Sequence, residues 1–153
     1  MFRLEGTNIP PDATGTLRLS FGVVKSYVEN GKKIPYETNF AGLYEKSDKA
    51  ANKDPYVLPE SFLKKKAAVK MATPVNFIST ADSIGGNSGS PLVNRKGEFV
   101  GVLFDGNIQS LPCRFVYEDK IARSVMVHGQ GIIEALLKIY DAKPLVDEIL
   151  GKK

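Results

Sequence analysis

The sequence has one cysteine, one histidine and no long apolar run. Cys113 is the single cysteine among 153 residues, so no disulfide can form within the chain, and the redox compartment stays open. No apolar stretch approaches the ~20 residues that a membrane-spanning helix needs, so we expect no membrane span. The first six residues contain no apolar h-region, and we expect no signal peptide at this N-terminus.

Metal sites and phosphate sites lack a sequence signature. No group of His, Cys and Glu residues has the spacing of metal ligands, and no glycine-rich loop opens a helix as phosphate sites require. We therefore expect no cofactor. The composition, with 42% hydrophobic and 25% charged residues, excludes a disordered, collagen-like or coiled-coil chain. A chain of 153 residues fits one domain, which we place over residues 1–153.

The charge is basic but scattered. Lys and Arg number 21 and Asp and Glu number 17, which gives a formal net charge of +4. Small lysine clusters include residues 64–66 and 152–153, and no aromatic residues alternate with the basic ones. A nucleic-acid surface needs a concentrated basic patch. We interpret the lysines as a solvated face and expect no nucleic-acid partner.

Apolar periodicity predicts short strands followed by a helix. Residues 16–28 alternate apolar and polar side chains, as in a half-buried strand, and an Asn30-Gly31 turn follows. Further strands are predicted over residues 33–40, 75–79, 92–93, 98–104 and 115–117, a surface loop over 45–59, and short helices over 59–69 and from Pro144. Residues 132–140 have helical spacing. This order favours a six-stranded antiparallel barrel with a C-terminal helix on its outside.

The segment Gly85–Pro91, with the sequence GGNSGSP, carries the candidate chemistry. A nucleophilic serine needs an exposed hydroxyl and backbone N–H groups aimed at the oxygen that becomes negative during acyl transfer. Ser88 is the candidate nucleophile, and the N–H groups of Gly86 and Ser88 are the candidate oxyanion hole. An ordinary Gly/Ser turn is the alternative. The loop leads into a β-hairpin, without the strand-to-helix pattern of an α/β-hydrolase.

The loop resembles the nucleophile loop in the second barrel of the chymotrypsin fold. Glutamyl endopeptidases, the PDZ-bearing high-temperature-requirement proteases and the bacterial dipeptidyl-peptidase 7 and 11 family share its asparagine form, so the flanking segments decide. Residues 11–27, 82–91, 103–107 and 122–127 are similar to segments of the dipeptidyl-peptidase family. The resemblance runs from about residue 11 to the C-terminus.

The resemblance implies a serine dipeptidyl aminopeptidase of the periplasm or cell surface. Such enzymes release dipeptides from peptide N-termini and have two β-barrels with an inserted helical domain. This chain would be the second, serine-bearing barrel of a chymotrypsin-like fold, without the N-terminal barrel and the helical domain. Its partners would be the peptide substrate and the missing N-terminal half. Without that half, an apolar barrel interface would be exposed and prone to self-association.

The resemblance also assigns substrate contacts to Asp105, Gly106 and Asn107, which occupy the segment that lines the substrate channel. In the family, the position 18 residues after the serine decides the P1 preference, and the branch that takes Asp and Glu has arginine there. That position is Gly106 here, so bulky apolar P1 side chains are expected, because a carboxylate would be desolvated unpaired. Asp82 stands where trypsin-like enzymes have the base of the pocket, although the family has Asp there without preferring basic residues.

The histidine that this chemistry needs is missing from its usual place. The chain order in this fold is His, Asp, Ser, and no histidine precedes Ser88. His128 lies 40 residues after Ser88, and we interpret it as a residue at the entrance of the C-terminal helix. Ser88 without an imidazole stays a protonated, weak nucleophile, so we expect the isolated chain to be inactive.

Two other functions stay open at this point. One is a non-catalytic binding or interaction domain that kept the loop. The other is a glutamyl endopeptidase-like protease, which would need a basic or His-lined pocket. Cys113 lacks an upstream histidine and is interpreted as a structural residue rather than a thiol nucleophile. The oxyanion hole is expected to be relaxed when the other barrel is absent.

Overall fold

The computed structural model describes residue 17 and residues 19–152. The first regular structure is a hairpin of β1 (Tyr27–Glu29) and β2 (Lys32–Ile34) around the predicted turn, in which Asn30 and Gly31 both have positive φ. Such conformations suit the tight turns of two-residue hairpins. This hairpin forms a two-stranded sheet of its own.

A five-stranded antiparallel sheet forms the centre of the molecule. Its spatial order is β3-β4-β7-β6-β5. The strands are β3 (Glu37–Asn39), β4 (Pro74–Ser79), β5 (Pro91–Val93), β6 (Phe99–Gly106) and β7 (Ser124–His128). All its neighbouring strands are antiparallel, and β5 and β6 form the predicted hairpin after the Ser88 loop.

Four α-helices accompany the sheet in the described residues. They are α1 (Phe40–Lys49), α2 (Glu60–Lys65), α3 (Gly129–Lys138) and α4 (Lys143–Ile149), with 3₁₀ turns at Lys66–Ala68 and Ile108–Arg114. The predicted antiparallel β fold with a helix at the C-terminus is confirmed. In the part of the chain that the structure describes, no helix has the length and apolar content needed to cross a membrane.

An irregular strand, outside the seven named strands, runs beside the end of β4. Val24 pairs with Ser79 in an isolated antiparallel bridge, and Val23 exchanges two 3.0 Å hydrogen bonds with Thr80. These contacts fall within the strand predicted over residues 16–28, of which residues 16 and 18 lie outside the described part. The apolar alternation predicted a buried face here, but Leu19 and Phe21 are 83% and 92% exposed.

Three elements differ from the sequence predictions. The predicted loop over residues 45–59 begins inside α1, which Asn39 caps by accepting a 2.9 Å hydrogen bond from Gly42 N–H. The apolar run 115–117 is a turn with exposed side chains, not a strand, because it has no pairing partner. No strand is predicted from the sequence over residues 124–128, but β7 lies there and is the central strand, paired with both β4 and β6.

The core has two parts, one under the helices and one in the sheet. Phe40, Tyr44, Val69 and Ile139 form a buried cluster between α1 and the helices that follow. Phe77, Leu103 and Met126 form the second cluster on three neighbouring strands, β4, β6 and β7. The second cluster fixes β6, the strand against which the Ser88 loop lies.

Candidate active site

The Ser88 loop is a tight turn that its own side chains and glycines build. Asn87 Oδ1 accepts a 2.8 Å hydrogen bond from Ile84 N–H, and Asn87 N–H donates back to the Ile84 carbonyl at 3.1 Å. Gly86 and Gly89 have φ values of +96° and +90°, a region that side chains disfavour. The GGNSG sequence therefore fixes the turn through glycine on either side of the serine.

Two backbone hydrogen bonds attach this loop to β6. Gly89 N–H donates to the Leu103 carbonyl at 2.8 Å, and Leu103 N–H donates to the Ser90 carbonyl at 3.0 Å. Ser88 itself is exposed, and its Oγ donates to the Phe104 carbonyl at 3.2 Å. The structure thus presents the predicted nucleophile at the surface, beside Phe104 near the end of β6.

The N–H groups proposed for the oxyanion hole are available to a ligand. Within residues 19–152, neither Gly86 N–H nor Ser88 N–H donates a hydrogen bond to another residue. Exposed N–H donors in a turn of this kind can bind an anion. Their role in holding an oxyanion stays a prediction.

A cleft of about 170 Å³ begins at Ser88. One wall is the loop 83–85, the second is the end of β6, and the third is the 3₁₀ turn Ile108–Arg114. Its volume is close to the roughly 150 Å³ that accommodates one benzene molecule in a protein interior. The cleft is therefore of the size that holds a single side chain.

The three predicted substrate contacts have different positions. Asp105 and Gly106 line the cleft, and Asp105 Oδ1 accepts a 2.8 Å hydrogen bond from Gly106 N–H. Asn107 lies outside its lining, and both ends of its side chain are used: Nδ2 donates to the Ile121 carbonyl at 2.7 Å, and Oδ1 accepts from Arg123 N–H at 2.8 Å. Asn107 therefore fastens the end of β6 to the 121–123 segment.

The 3₁₀ turn packs closely on Gly106. A Cβ added at Gly106 would lie 2.5 Å from Ser110 Oγ, which donates to the Asn107 carbonyl at 2.7 Å. Space beside Gly106 is thus partly occupied by the Ser110 hydroxyl. A larger side chain at residue 106 needs Ser110 to move.

Comparison with known proteins gives the family of this chain. Residues 1–151 match the family Peptidase S46. The chain belongs to the S46 peptidases. The resemblance to dipeptidyl-peptidases 7 and 11 is thereby confirmed.

Named relatives and solved structures agree with this family. The chain is 33% identical over 148 residues to a dipeptidyl-peptidase 7 of Phocaeicola vulgatus, covering 91% of this chain and 20% of the relative. It is 29% identical over 178 residues to an Asp/Glu-specific dipeptidyl-peptidase of Shewanella putrefaciens, covering 97% of this chain and 24% of the relative.

The crystal structure of Porphyromonas endodontalis DPP11 with the dipeptide Arg-Glu superposes with a TM-score of 0.80 at 28% identity, covering 99% of this chain and 23% of that one. The chain therefore spans between a fifth and a quarter of the length of these proteins.

One charged cleft residue was missed by the sequence analysis. Arg114, at the end of the 3₁₀ turn, lines the cleft together with Ser88 and Asp105. Residues 115–117 had been predicted as a strand, and nothing in the sequence brings residue 114 back toward Ser88. The 3₁₀ turn packs against Gly106 and thereby brings Arg114 to the cleft.

Asp82 does not line this cleft. It borders a smaller space of about 10 Å³ behind the cleft, together with Cys113 and Arg123. Cys113 is half-buried there, and its Sγ donates to the Glu118 carbonyl at 3.7 Å. The wall between the two spaces includes Ser83, whose Oγ lies 2.5 Å from Ser124 Oγ.

His128 caps helix α3 and does not contact Ser88. Its Nδ1 accepts a 3.1 Å hydrogen bond from Gln130 N–H, and its ring lies edge-on to Phe77 at 5.4 Å between centroids. Burial lowers the pKa of His128, although the charge of Glu37 partly opposes this. His128 pairs with Gly101, three residues before Phe104, which places it about 10 Å along the strand from the Ser88 contact.

Proposed function

We propose that this chain is the serine-bearing barrel, spanning residues 1–153, of a longer S46 serine peptidase that removes dipeptides from the free N-termini of peptides. Ser88 is the nucleophile, and the N–H groups of Gly86 and Ser88 form the oxyanion hole. Asp105 and Gly106 contact the substrate, while Asn107 supports them. The observation that carries this proposal is the exposed Ser88 hydroxyl at the head of a side-chain-sized cleft.

The proposed chemistry needs a base from outside the described residues. Ser88 Oγ attacks the scissile carbonyl and gives up its proton, which later goes to the leaving amine. The acceptor that Ser88 has here is the Phe104 carbonyl, which holds the hydrogen bond but is too weak a base to take the proton. His128 is engaged at the helix α3 entrance. The isolated chain therefore orients a serine without activating it.

Covalent labelling of Ser88 tests whether the base that activates it comes from outside this chain. We expect a fluorophosphonate probe to label the 153-residue chain far more slowly than the full-length protein that carries it, because only the latter supplies the base. Ser88→Ala should abolish the labelling, and Ser90→Ala, a neighbouring serine, should not. Fast stoichiometric labelling of the isolated chain that disappears in His128→Ala would contradict the proposal.

The P1 preference is proposed to be for bulky apolar side chains. Much of the cleft lining is apolar, namely Ile84, Leu103, Phe104 and Leu111. Gly106 adds no charge to it. Burying an apolar P1 side chain against these walls contributes about 25 cal/mol per Å², whereas burying an unpaired carboxylate costs several kcal/mol.

Dipeptidyl-naphthylamide substrates measure this preference. In the full-length protein, kcat/KM should be higher for Leu at P1 than for Asp. Introducing Gly106→Arg together with Ser110→Gly, which removes the close Oγ, should raise kcat/KM for Asp. An unmutated protein that cleaves Asp substrates as fast as Leu substrates would exclude the Gly106 argument. A chain that binds peptides but releases no dipeptide from any of the panel would favour the non-catalytic binding domain.

The exposed apolar strand is proposed to be the docking face for the N-terminal half. Leu17, Leu19, Phe21 and Val23 are between 60% and 92% exposed on the irregular strand beside β4. Contiguous apolar surface of this kind marks an interaction site. The isolated chain should therefore self-associate as its concentration rises, and Leu19→Ser with Phe21→Ser should reduce this in light scattering. A molar mass of the unmutated chain that stays at the monomer value as the concentration rises would contradict this proposal.

The place of action is proposed from the resemblance. The full-length protein is expected in the periplasm or at the cell surface. Fractionation of the source cells with an antibody against this chain checks the location, and recovery in the cytoplasmic fraction alone would contradict it.

A further inference from the structure

Arg114 is a charged residue of the cleft lining that has no ion-pair partner in the described residues. The carboxylate of Glu118, four residues later in the sequence, accepts from the N–H groups of Lys120 and Ile121. The donors of the Arg114 guanidinium are therefore uncommitted in this part of the chain.

Among the residues that the structure describes, Asp105 is the only other charged residue that lines the cleft. Its carboxylate accepts from Gly106 N–H, which turns it toward its own strand. An acidic side chain entering the cleft would be attracted by Arg114 and repelled by Asp105. The balance between these two charges decides whether the cleft admits an anion.

A guanidinium is suited to this task. It stays protonated and presents five donors in a planar fork that matches a carboxylate. Charges interact more strongly in a partly desolvated cleft than in bulk water. Gly106 has no side chain, and the space beside it is partly occupied by the Ser110 hydroxyl, which belongs to the same 3₁₀ turn as Arg114.

We propose that Arg114 is a specificity-determining residue, which lets the cleft accept glutamate at P1 in addition to the apolar side chains. Glutamate is favoured over aspartate here because its longer stem places apolar carbons against the walls and its carboxylate deeper in the cleft. Leu stays the better P1 residue. The inference rests on the proposed peptidase function and adds a second substrate class to the same cleft.

Kinetics with a charge-matched substrate pair test Arg114. The full-length protein is assayed with dipeptidyl-naphthylamides that have Leu, Gln or Glu at P1, since Gln has the shape of Glu without its charge. Arg114→Met should lower the Glu-to-Gln ratio of kcat/KM at least tenfold and change the Leu value less than threefold. Arg95→Met is the matched control, because Arg95 lies exposed in the β5–β6 turn outside the cleft, and it should leave the ratio unchanged.

Salt dependence gives a second readout that needs no variant. Raising the ionic strength should lower kcat/KM for Glu more than for Gln, because the charge attraction in an open cleft is screened. An unchanged Glu-to-Gln ratio in Arg114→Met, with Leu still cleaved, would overturn the inference and leave the peptidase proposal intact. If the unmutated protein cleaves none of the three substrates, both the inference about Arg114 and the peptidase proposal are overturned.

Discussion

Replacing Arg123 by methionine removes a buried cation that joins separate segments of the chain. The Arg123 side chain is 1% exposed and forms no ion pair within the described residues. Its guanidinium instead donates to five main-chain carbonyls, with a cation–π contact to Tyr27 at 5.4 Å. The acceptors are the carbonyls of Lys25 at 3.0 Å, Ser26 at 3.2 Å, Asp119 at 2.7 Å, Lys120 at 3.3 Å and Ala122 at 2.6 Å.

The cost of this substitution follows from which carbonyls water can reach. Lys25, Asp119 and Lys120 are exposed residues, so water can replace the guanidinium there. Ala122 is buried and Ser26 is half-buried, and each carbonyl left without a donor costs roughly 1–3 kcal/mol. Two such carbonyls give about 4 kcal/mol. Ending the burial of an unpaired charge offsets part of this, so we expect a net loss of about 3 kcal/mol.

Urea unfolding followed by circular dichroism measures this loss. Arg123→Lys keeps the charge but has three donors on one nitrogen, so it should lose about half as much free energy of unfolding. Arg95→Met, an exposed arginine, is the control and should stay within about 0.5 kcal/mol of the unmutated chain. A loss below about 1 kcal/mol in Arg123→Met would refute the argument that these carbonyls depend on the guanidinium.

Three further predictions concern the helix entrance, the sheet and the helical core. Burial holds the pKa of His128 below 6.5, so the unfolded chain binds more protons than the folded chain, and stability should fall as the pH drops through about 6.5. His128→Asn keeps an acceptor for the helix cap and should flatten this dependence of the urea midpoint on pH. Equal pH slopes in both proteins would argue against it. Gly101→Ala should cost about 3 kcal/mol, because the added Cβ meets the Val127 carbonyl; a thermal midpoint near the unmutated value would show that β6 and β7 can separate there. Tyr44→Phe should cost about 1–2 kcal/mol by removing the 2.9 Å hydrogen bond to the Phe62 carbonyl, and chemical denaturation would contradict this by showing no change.

The Ser88 loop could be predicted because its signal is local. Glycines at residues 86 and 89 are needed for the backbone conformation that the turn adopts, and both lie within two residues of Ser88. The hairpin after Pro91 and the helices after Gly129 likewise follow from short patterns of turn residues and apolar spacing. These elements depend on neighbours in the sequence.

The elements that were missed depend on distant partners. In α1, buried Phe40, Tyr44 and Ser47 lie on one face, while the charged residues of the opposite face gave the segment the composition of a loop. Strand β7 became central by pairing with β4 and β6, and no local feature separates it from the apolar run 115–117. Arg114 enters the cleft only because the 3₁₀ turn folds under Gly106.

The cleft has two kinds of wall, which differ in how they are attached to Ser88. Strand β6 carries the Ser88 loop through Leu103 and Phe104, so a change in its backbone displaces the hydroxyl as well. The 3₁₀ turn follows β6 through Asn107, whose side chain is bonded to the 121–123 segment. Within the described residues, no side chain of this turn is hydrogen-bonded to the Ser88 loop, so under the proposed function we expect substitutions on it to alter which side chain the cleft admits without moving Ser88. Under the proposed function, substrate range and chemistry therefore depend on different segments, and a library for new specificities belongs on residues 110–114.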